Sequence, residues 1–352
     1  MKPLISIIIP AYNHENYIGE TLRSCSQQTY EKIEIIVIDD GSTDSTWQII
    51  CSYAEKDSRI KAFHQENCGV GLTSQRGIEL ASGEWITFCG SDDSFPPDAI
   101  NSLVNKCFGC DLVIGDYETM KDTGERKRVR LPSTRNLPFL VYHSGAAWAK
   151  LYRKQFLTEN EIRFPTLSLE EDTVFLSRLI MHKPRLSVVK KTTYFYWDHN
   201  LGEKSLTRRL SASLYADRAI GKTIALVNMR KGGFLAARER YYFMYAQQLL
   251  TQLQAMFDDD EREKCLGVFR EYVLSNYEEK DDSRLELLTG MSRSDFEKTD
   301  YATFLSVQLL QDKREAVANE FALGQAGLKY IARYFLLWYE YKVEKKGIGN
   351  ES

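Results

Sequence analysis

The chain has 352 residues, 43% hydrophobic and 27% charged, with a formal net charge of −3. That length accommodates one large core or two domains, and the balance excludes a disordered chain and argues against a general nucleic-acid binder. Seven scattered cysteines, with no secretory signal before the strand-like LISIIIP, point to a reducing cytoplasm.

Residues 4–9, LISIII, are continuously apolar and β-branched, as in a strand covered on both faces, and Pro10 ends the run. Helical spacing follows over 14–28, then a second buried strand, IEIIVI, at 33–38. Asp44 and Ser45 of DDGSTDST suit a helix N-cap ahead of WQIICSYAEK. A shorter strand near 60–63, a helix near 71–82 and a strand at 85–89 complete an alternating series. Such alternation predicts an α/β fold with a mainly parallel, doubly wound sheet.

Beyond residue 111, DLVIGDY is strand-like, 120–136 reads as a charged, turn-rich insertion, and AAWAKLYRKQFLTEN and LEEDTVFLSRLIMH read as helices. Strand signals fade after SLTRRL, which places a domain boundary near 210: residues 1–210 form the α/β domain and 211–352 a mostly helical one. Basic side chains gather at 119–135 and 183–209, acidic ones at 258–300. These runs suit solvated faces, and the basic ones could also meet phosphates or anionic lipid. Cys107 and Cys110 form one CxxC without a second pair or nearby His, which argues against a zinc site.

Ligands of doubly wound sheets bind outside the carboxyl ends of the strands. Here those ends read PAYN, DDGS and GSDD. Any one could be a plain turn, but three polar ends, two of them rich in aspartate, on one rim suggest a site. Asp92 and Asp93 supply hard oxygen ligands suited to Mg²⁺ or Mn²⁺, with positions open to phosphate oxygens and water. The acids at 170–172, which also suit a helix N-terminus, offer a base.

The ordered fragments SIIIPAYNHENYIGETLRSCSQQTY, EIIVIDDGSTDST, NCGVGLTSQR, GEWITFCGSDDSFPPD, WAKLYRKQFL, RFPTLSLEEDTVFLSRL and YFYWDHNLGEKSLT closely resemble family 2 glycosyltransferases of the GT-A fold, over residues 4 to about 207. The resemblance implies a metal-dependent, inverting enzyme of bacterial cell-surface polysaccharide assembly, with a UDP-sugar donor and a saccharide acceptor, lipid-linked in many such pathways. Carried over residue by residue, it implies that Pro10, Tyr12 and Asp40 hold the uridine, Tyr12 by stacking and Asp40 by hydrogen bonding. Asn67 and Arg76 would close the nucleotide pocket, and Asp92 would be the metal ligand of D-x-D. Asp93 could share the metal, and His199 could complete its shell. Asp172 would be the general base, with Glu171 the alternative.

Two positions depart from the family pattern. Gly90 stands where the first acid of D-x-D is usual, and Ala149 stands in WAKLYR where relatives often carry Asn. The first leaves open an alternative, a catalytically idle nucleotide-sugar binder or scaffold. A dinucleotide oxidoreductase is discarded, since PAYNHENY offers no G-x-G-x-x-G turn.

The last helical stretch sets Tyr330, Tyr334, Trp338 and Tyr341 on one face, with Lys342, Lys345 and Lys346 at its end. Such a face serves either a domain core or a homo-oligomer contact, or it lies in a membrane interface as an aromatic belt with a basic end. No apolar run approaches the roughly 18 residues of a membrane-crossing helix, so any contact with the inner face of the cell membrane would be peripheral.

Overall fold

The computed structural model describes residues 2–131, 137, 141, 144–199, 212–233, 258–276, 282–289, 291–300, 302–304 and 307. The chain divides into two compact units, Met1–Phe234 and Leu235–Ser352.

The first unit is built on an eight-stranded sheet. Its strands are β1 (Ile5–Ala11), β2 (Ile33–Asp40), β3 (Ile60–Gln65), β4 (Trp85–Phe88), β5 (Leu112–Lys121), β6 (Arg126–Val129), β7 (Lys150–Arg153) and β8 (Leu186–Asp198). Strands β3, β2, β1 and β4 lie side by side and parallel. β1 and β2 are buried almost throughout because alternate residues face opposite, equally covered sides. Ile5, Ile7 and Ile9 join Ile35 and Val37 in one core with Ile18 and Leu22 of α1 (Ile18–Ser26) and Ile50 of α2 (Thr46–Ala54). Ile8, Ile36 and Ile38 face the other core, with Ile78 of α3 (Val70–Leu80) and Phe175, Leu176 and Leu179 of a later helix, Glu171–Met181.

The second half of the sheet departs from the sequence reading. Residues 146–149, expected to be helical, are irregular, and KLYR after them is strand β7, wedged antiparallel between β4 and β5. Local spacing suggested a helix, but the left-handed backbone of Ala149 (φ 57°) stops one from forming there. Short helices α4 (Ala99–Val104) and α5 (Lys154–Glu159) follow β4 and β7. The charged insertion contains β6, a short strand paired with the outer half of β5. β8 lies parallel to β5 with register shifts near Gly115 and Asp116. Its Phe195 also bridges Ser94, just past β4.

The helix Glu171–Met181, α6, packs against α7 (Ala212–Lys231). Asn228 Nδ2 donates to Ser177 Oγ (2.8 Å), and the Ser168 N–H donates to Asp217 (2.8 Å). These contacts carry the first compact unit past residue 210, where strand signals fade. In the second unit the described elements are helices, α8 (Asp259–Asn276), α9 (Asp282–Thr289) and α10 (Arg293–Lys298). They bury Phe269, Val273, Leu285, Phe296 and Phe304. The aromatic stretch 330–341 lies outside the described residues. No described helix is long and apolar enough to cross a membrane.

Candidate active site

The parallel register brings the ends of β1, β2 and β4 to one rim: Ala11 pairs with Asp39, and Ile8 with Phe88. Tyr12, the residue after β1, is 44% exposed, an open aromatic surface at a strand end. Pro10 is partly buried within β1. Asp40 is buried, and its carboxylate accepts from Gln65 Nε2 (2.7 Å), the Cys68 N–H (3.0 Å) and the Gly69 N–H (2.9 Å). Burial works against its charge, but these hydrogen bonds and one with Thr73 prevail and hold it below the usual carboxylate range. Asn67 Nδ2 donates to the Asp40 carbonyl (2.8 Å), and Arg76 donates to Gln65 Oε1 (2.6 Å), so Asp40, Asn67 and Arg76 belong to one network.

The turn after β4 separates its two adjacent aspartates. Asp93 is 4% exposed, with Oδ2 accepting from the Tyr194 hydroxyl (2.6 Å) and Oδ1 from the Trp197 N–H (2.8 Å). Burial and the charge of Asp92 push its carboxyl well above the usual range despite those bonds. Both of the Asp93 oxygens are thus engaged inside the protein, whereas sharing a cation with Asp92 would need one of them turned toward the rim. Asp92 stays half-buried at the rim.

Gly90 explains the missing first acid. A Cβ there would lie 2.7 Å from Asp93 Oδ2 and 3.1 Å from Asp92 Oδ1. The two carboxylates fill the space that a side chain would need.

His199 comes to the same turn from beyond β8. Its Nε2 lies 3.4 Å from the Asp92 carbonyl oxygen and its Nδ1 2.9 Å from Asp122. Its ring stacks on Tyr17 with centroids 4.0 Å apart. Ser91 Oγ lies 2.6 Å from His14 Nδ1, and Thr21 donates to the carbonyls of Ser91 and Asp93 at 3.0 and 2.7 Å. The turn is therefore held from β8, from α1 and from the loop after β1.

The acidic run opens α6. Glu170 takes the left-handed conformation at the N-cap (φ 65°), its carboxylate 2.7 Å from Lys222 Nζ. Glu171 and Asp172 are recessed in the first turn. Burial and the charge of Asp172 push Glu171 well up. Asp172 is raised to about 6 by burial, opposed by the positive charge of Lys150 and a hydrogen bond from the Ala147 backbone. A carboxyl near 6 is largely ionised at neutral pH yet basic enough to take a proton. Gly71 adjoins this turn, since a Cβ there would lie 3.2 Å from Glu171 Cβ. α3, which carries Arg76, thus also adjoins the acidic turn.

Sequence reasoning missed Lys150, a fully buried lysine beside Asp172. The missed signal was a lysine between apolar neighbours in a stretch read as helix. Ala149 proves to be a backbone position: its positive φ is one that Asn tolerates better than Ala. Burial raises both CxxC thiols, Cys110 to about 11, so neither is a ready thiolate ligand.

Among the described residues, no group of three His, Cys, Asp or Glu side chains is spaced to hold a metal alone. The donor chemistry nonetheless fits a hard divalent cation that takes one carboxylate, Asp92, with His199 beside it, and completes its shell from ligand oxygens and water.

A family model described as Glycosyl transferase family 2 matches residues 6–165. An uncharacterized glycosyltransferase of Haemophilus influenzae is 34% identical over 184 residues, which are 50% of this chain and 72% of that one. EpsH of Bacillus subtilis, named as a glycosyltransferase, is 35% identical over 211 residues, 56% of this chain. The match spans 61% of EpsH's own length. Among solved structures, S. aureus TarS 1–349 in complex with UDP-GlcNAc superposes with a TM-score of 0.60 at 21% identity, covering 88% of this chain and 92% of that one. At that identity the likeness shows the fold, GT-A with its mixed, mostly parallel sheet.

Proposed function

The chain belongs to glycosyl transferase family 2, and from that premise we propose that it moves a sugar, with inversion, from a UDP-sugar to a hydroxyl of a saccharide acceptor in cell-surface polysaccharide synthesis. The observation that carries this reading is the pairing of two unlike carboxylates. Asp92 lies at the rim, and among the described residues its carboxylate accepts no hydrogen bond. Asp172 is recessed, with a pKa of about 6.

In this reading Tyr12 stacks on the uracil, Pro10 shapes the strand end beneath it, and Asp40 contacts the base while ordering the turn that carries Asn67. Arg76 closes the pocket through Gln65. A bound Mn²⁺ or Mg²⁺ would neutralise charge on the diphosphate, and Asp92, flanked by His199, would hold it. Asp172 takes the proton of the acceptor hydroxyl as its oxygen bonds to the anomeric carbon, and the bond from that carbon to the diphosphate breaks on the opposite side. The products are the glycoside with inverted configuration and UDP. Glu171, pushed well up by burial and the charge of Asp172, is the alternative base.

Gly90, the feature behind the idle-binder alternative, has a packing reason and so does not favour it. A lipid-linked acceptor, reached at the inner face of the membrane through residues 325–346, extends the same proposal. A screen of nucleotide-sugars scored by released nucleoside diphosphate tests the reading. It expects a UDP-sugar to be turned over in the presence of Mn²⁺ or Mg²⁺. Turnover confined to GDP- or dTDP-sugars would overturn the donor assignment.

A further inference from the structure

α7 lies beyond residue 210, yet one seam along it holds the start of α6. Asp217 accepts the Ser168 N–H (2.8 Å), and Asn228 Nδ2 donates to Ser177 Oγ (2.8 Å). Gly221 stands one helical turn after Asp217, on the same side of α7, and meets Glu170 between those two contacts. A Cβ on Gly221 would lie 2.4 Å from Glu170 Cβ and 3.3 Å from its Cγ, so the backbone of α7 runs directly against that side chain.

Glu170 needs such support. Its φ of 65° and ψ of 13° are the left-handed conformation, which a glutamate keeps only where its surroundings fix it. Its Oε2 accepts from Thr173 Oγ1 (2.5 Å) and meets Lys222 Nζ (2.7 Å). Both side chains of the ion pair are 17% exposed, so removing either charge strands the other largely out of water.

The Glu170 carbonyl accepts the Val174 N–H (2.9 Å), the hydrogen bond that opens α6. The N-cap residue thereby sets the direction of the first turn, whose next two residues are Glu171 and Asp172. α3 reaches the same turn at Gly71, where a Cβ would lie 2.8 Å from the Pro165 carbonyl and 3.2 Å from Glu171 Cβ. Two helices thus touch the acidic turn at glycines, and α7 adds a cation.

We propose that Lys222 is a positioning residue for the catalytic turn: with the α7 backbone seated on Glu170 at Gly221, its ion pair holds Glu170 in the left-handed N-cap conformation and so fixes where Glu171 and Asp172 stand. The catalytic half of this inference rests on reading one of those two carboxylates as the base.

Lys222→Met removes the charge at similar length, and Lys222→Arg keeps it. Amide hydrogen exchange followed by NMR reads the N-cap through Val174, with Leu179, deeper in α6, as the reference. Relative to Leu179, the Val174 amide should exchange at least about threefold faster in Lys222→Met and stay nearer wild type in Lys222→Arg. A smaller change in Lys222→Met overturns the proposal. Should that variant not fold, the wild-type protein decides: a held N-cap keeps Val174 exchange within about tenfold of Leu179, and faster exchange, that of a frayed helix start, overturns it. This arm needs no donor, so it stands whichever nucleotide-sugar the enzyme uses.

With the sugar nucleotide that the donor screen returns, Lys222→Met should lower kcat about tenfold or more while UDP affinity in Mn²⁺ stays within about threefold, and Lys222→Arg should recover most of the rate. Rate and UDP affinity falling together would mark a general loss of structure and overturn the positioning role. Faster Val174 exchange with kcat unchanged rejects the acidic turn as the seat of the base and leaves its attachment to α7 standing.

Discussion

Tyr194 and Asp93, 101 residues apart in the chain, share a 2.6 Å hydrogen bond from the phenol to Oδ2. The same phenol oxygen accepts the Gly90 N–H at 2.9 Å. One side chain of β8 thus fixes both ends of the turn that leaves Asp92 at the rim. Tyr194→Phe deprives a buried carboxyl and a backbone N–H of their partner, which should cost about 1–3 kcal/mol. Thermal melting should show that loss, and calorimetry with UDP and Mn²⁺ should show affinity weakened several-fold as Asp92 loses its fixed position.

Restoring an acid at position 90 should harm the protein. Gly90→Ala forces a Cβ against two carboxylates, at 2.7 and 3.1 Å, an overpacking expected to cost about 1–3 kcal/mol. Gly90→Asp adds a third carboxyl group beside Asp92 and Asp93 and should cost more. Its donor affinity in the presence of Mn²⁺, measured by the same calorimetry, should fall below that of the unaltered protein. A tighter complex would show that the turn can reopen to accept a conventional D-x-D.

Removing the rim carboxylate and removing the recessed one should have different signatures. Asp92→Ala should abolish the metal-dependent part of UDP binding. Asp172→Asn should leave donor affinity within a few-fold while lowering turnover by roughly 10² or more. If Glu171→Gln gives the larger loss instead, the base is the neighbouring carboxylate.

The pH dependence follows from the raised pKa of Asp172. A base must be unprotonated to act, so the rate should rise with pH through about 6 and level above it. Asp172→Asn should lose that limb. A limb near 4, the ordinary range for an aspartate, would mean that the recessed environment does not act on the reacting group.

Ala149 lies in the left-handed region at φ 57° and is 1% exposed. Ala149→Gly removes the Cβ conflict at the cost of a freer unfolded chain, and a net stabilisation of about 0.5–1 kcal/mol is expected. Chemical denaturation reads this.

Deleting residues 325–346 tests the aromatic stretch. If it lies at a lipid surface, the full chain should sediment with anionic vesicles at low salt and less at high salt, and the truncated chain should stay in solution with donor hydrolysis intact. If the stretch belongs to a core or an oligomer contact, truncation should change the mass seen by light scattering.

The β-branched runs at 5–9 and 33–38 announced strands covered on both sides, and their alternation with amphipathic helices announced a doubly wound sheet. The order of strand ends along one rim followed, and with it the position of Tyr12, Asp40 and Asp92 at those ends and of the acids at a helix start, whereas their roles came from the family resemblance. Tertiary structure decided what depends on partners distant in the chain. KLYR became a strand because β4 and β5 offered it two edges, outweighing local spacing that suited a helix. Asp93 turned inward because Tyr194 and Trp197, a hundred residues later, supply the donors that make its burial tolerable. Lys150 could be buried at the start of β7 because Ser144 and the Ala146 carbonyl, brought to it by the 144–148 turn, accept from its Nζ. Periodicity reports which faces are apolar, whereas burial of a charge depends on hydrogen bonds that form only once distant segments have met.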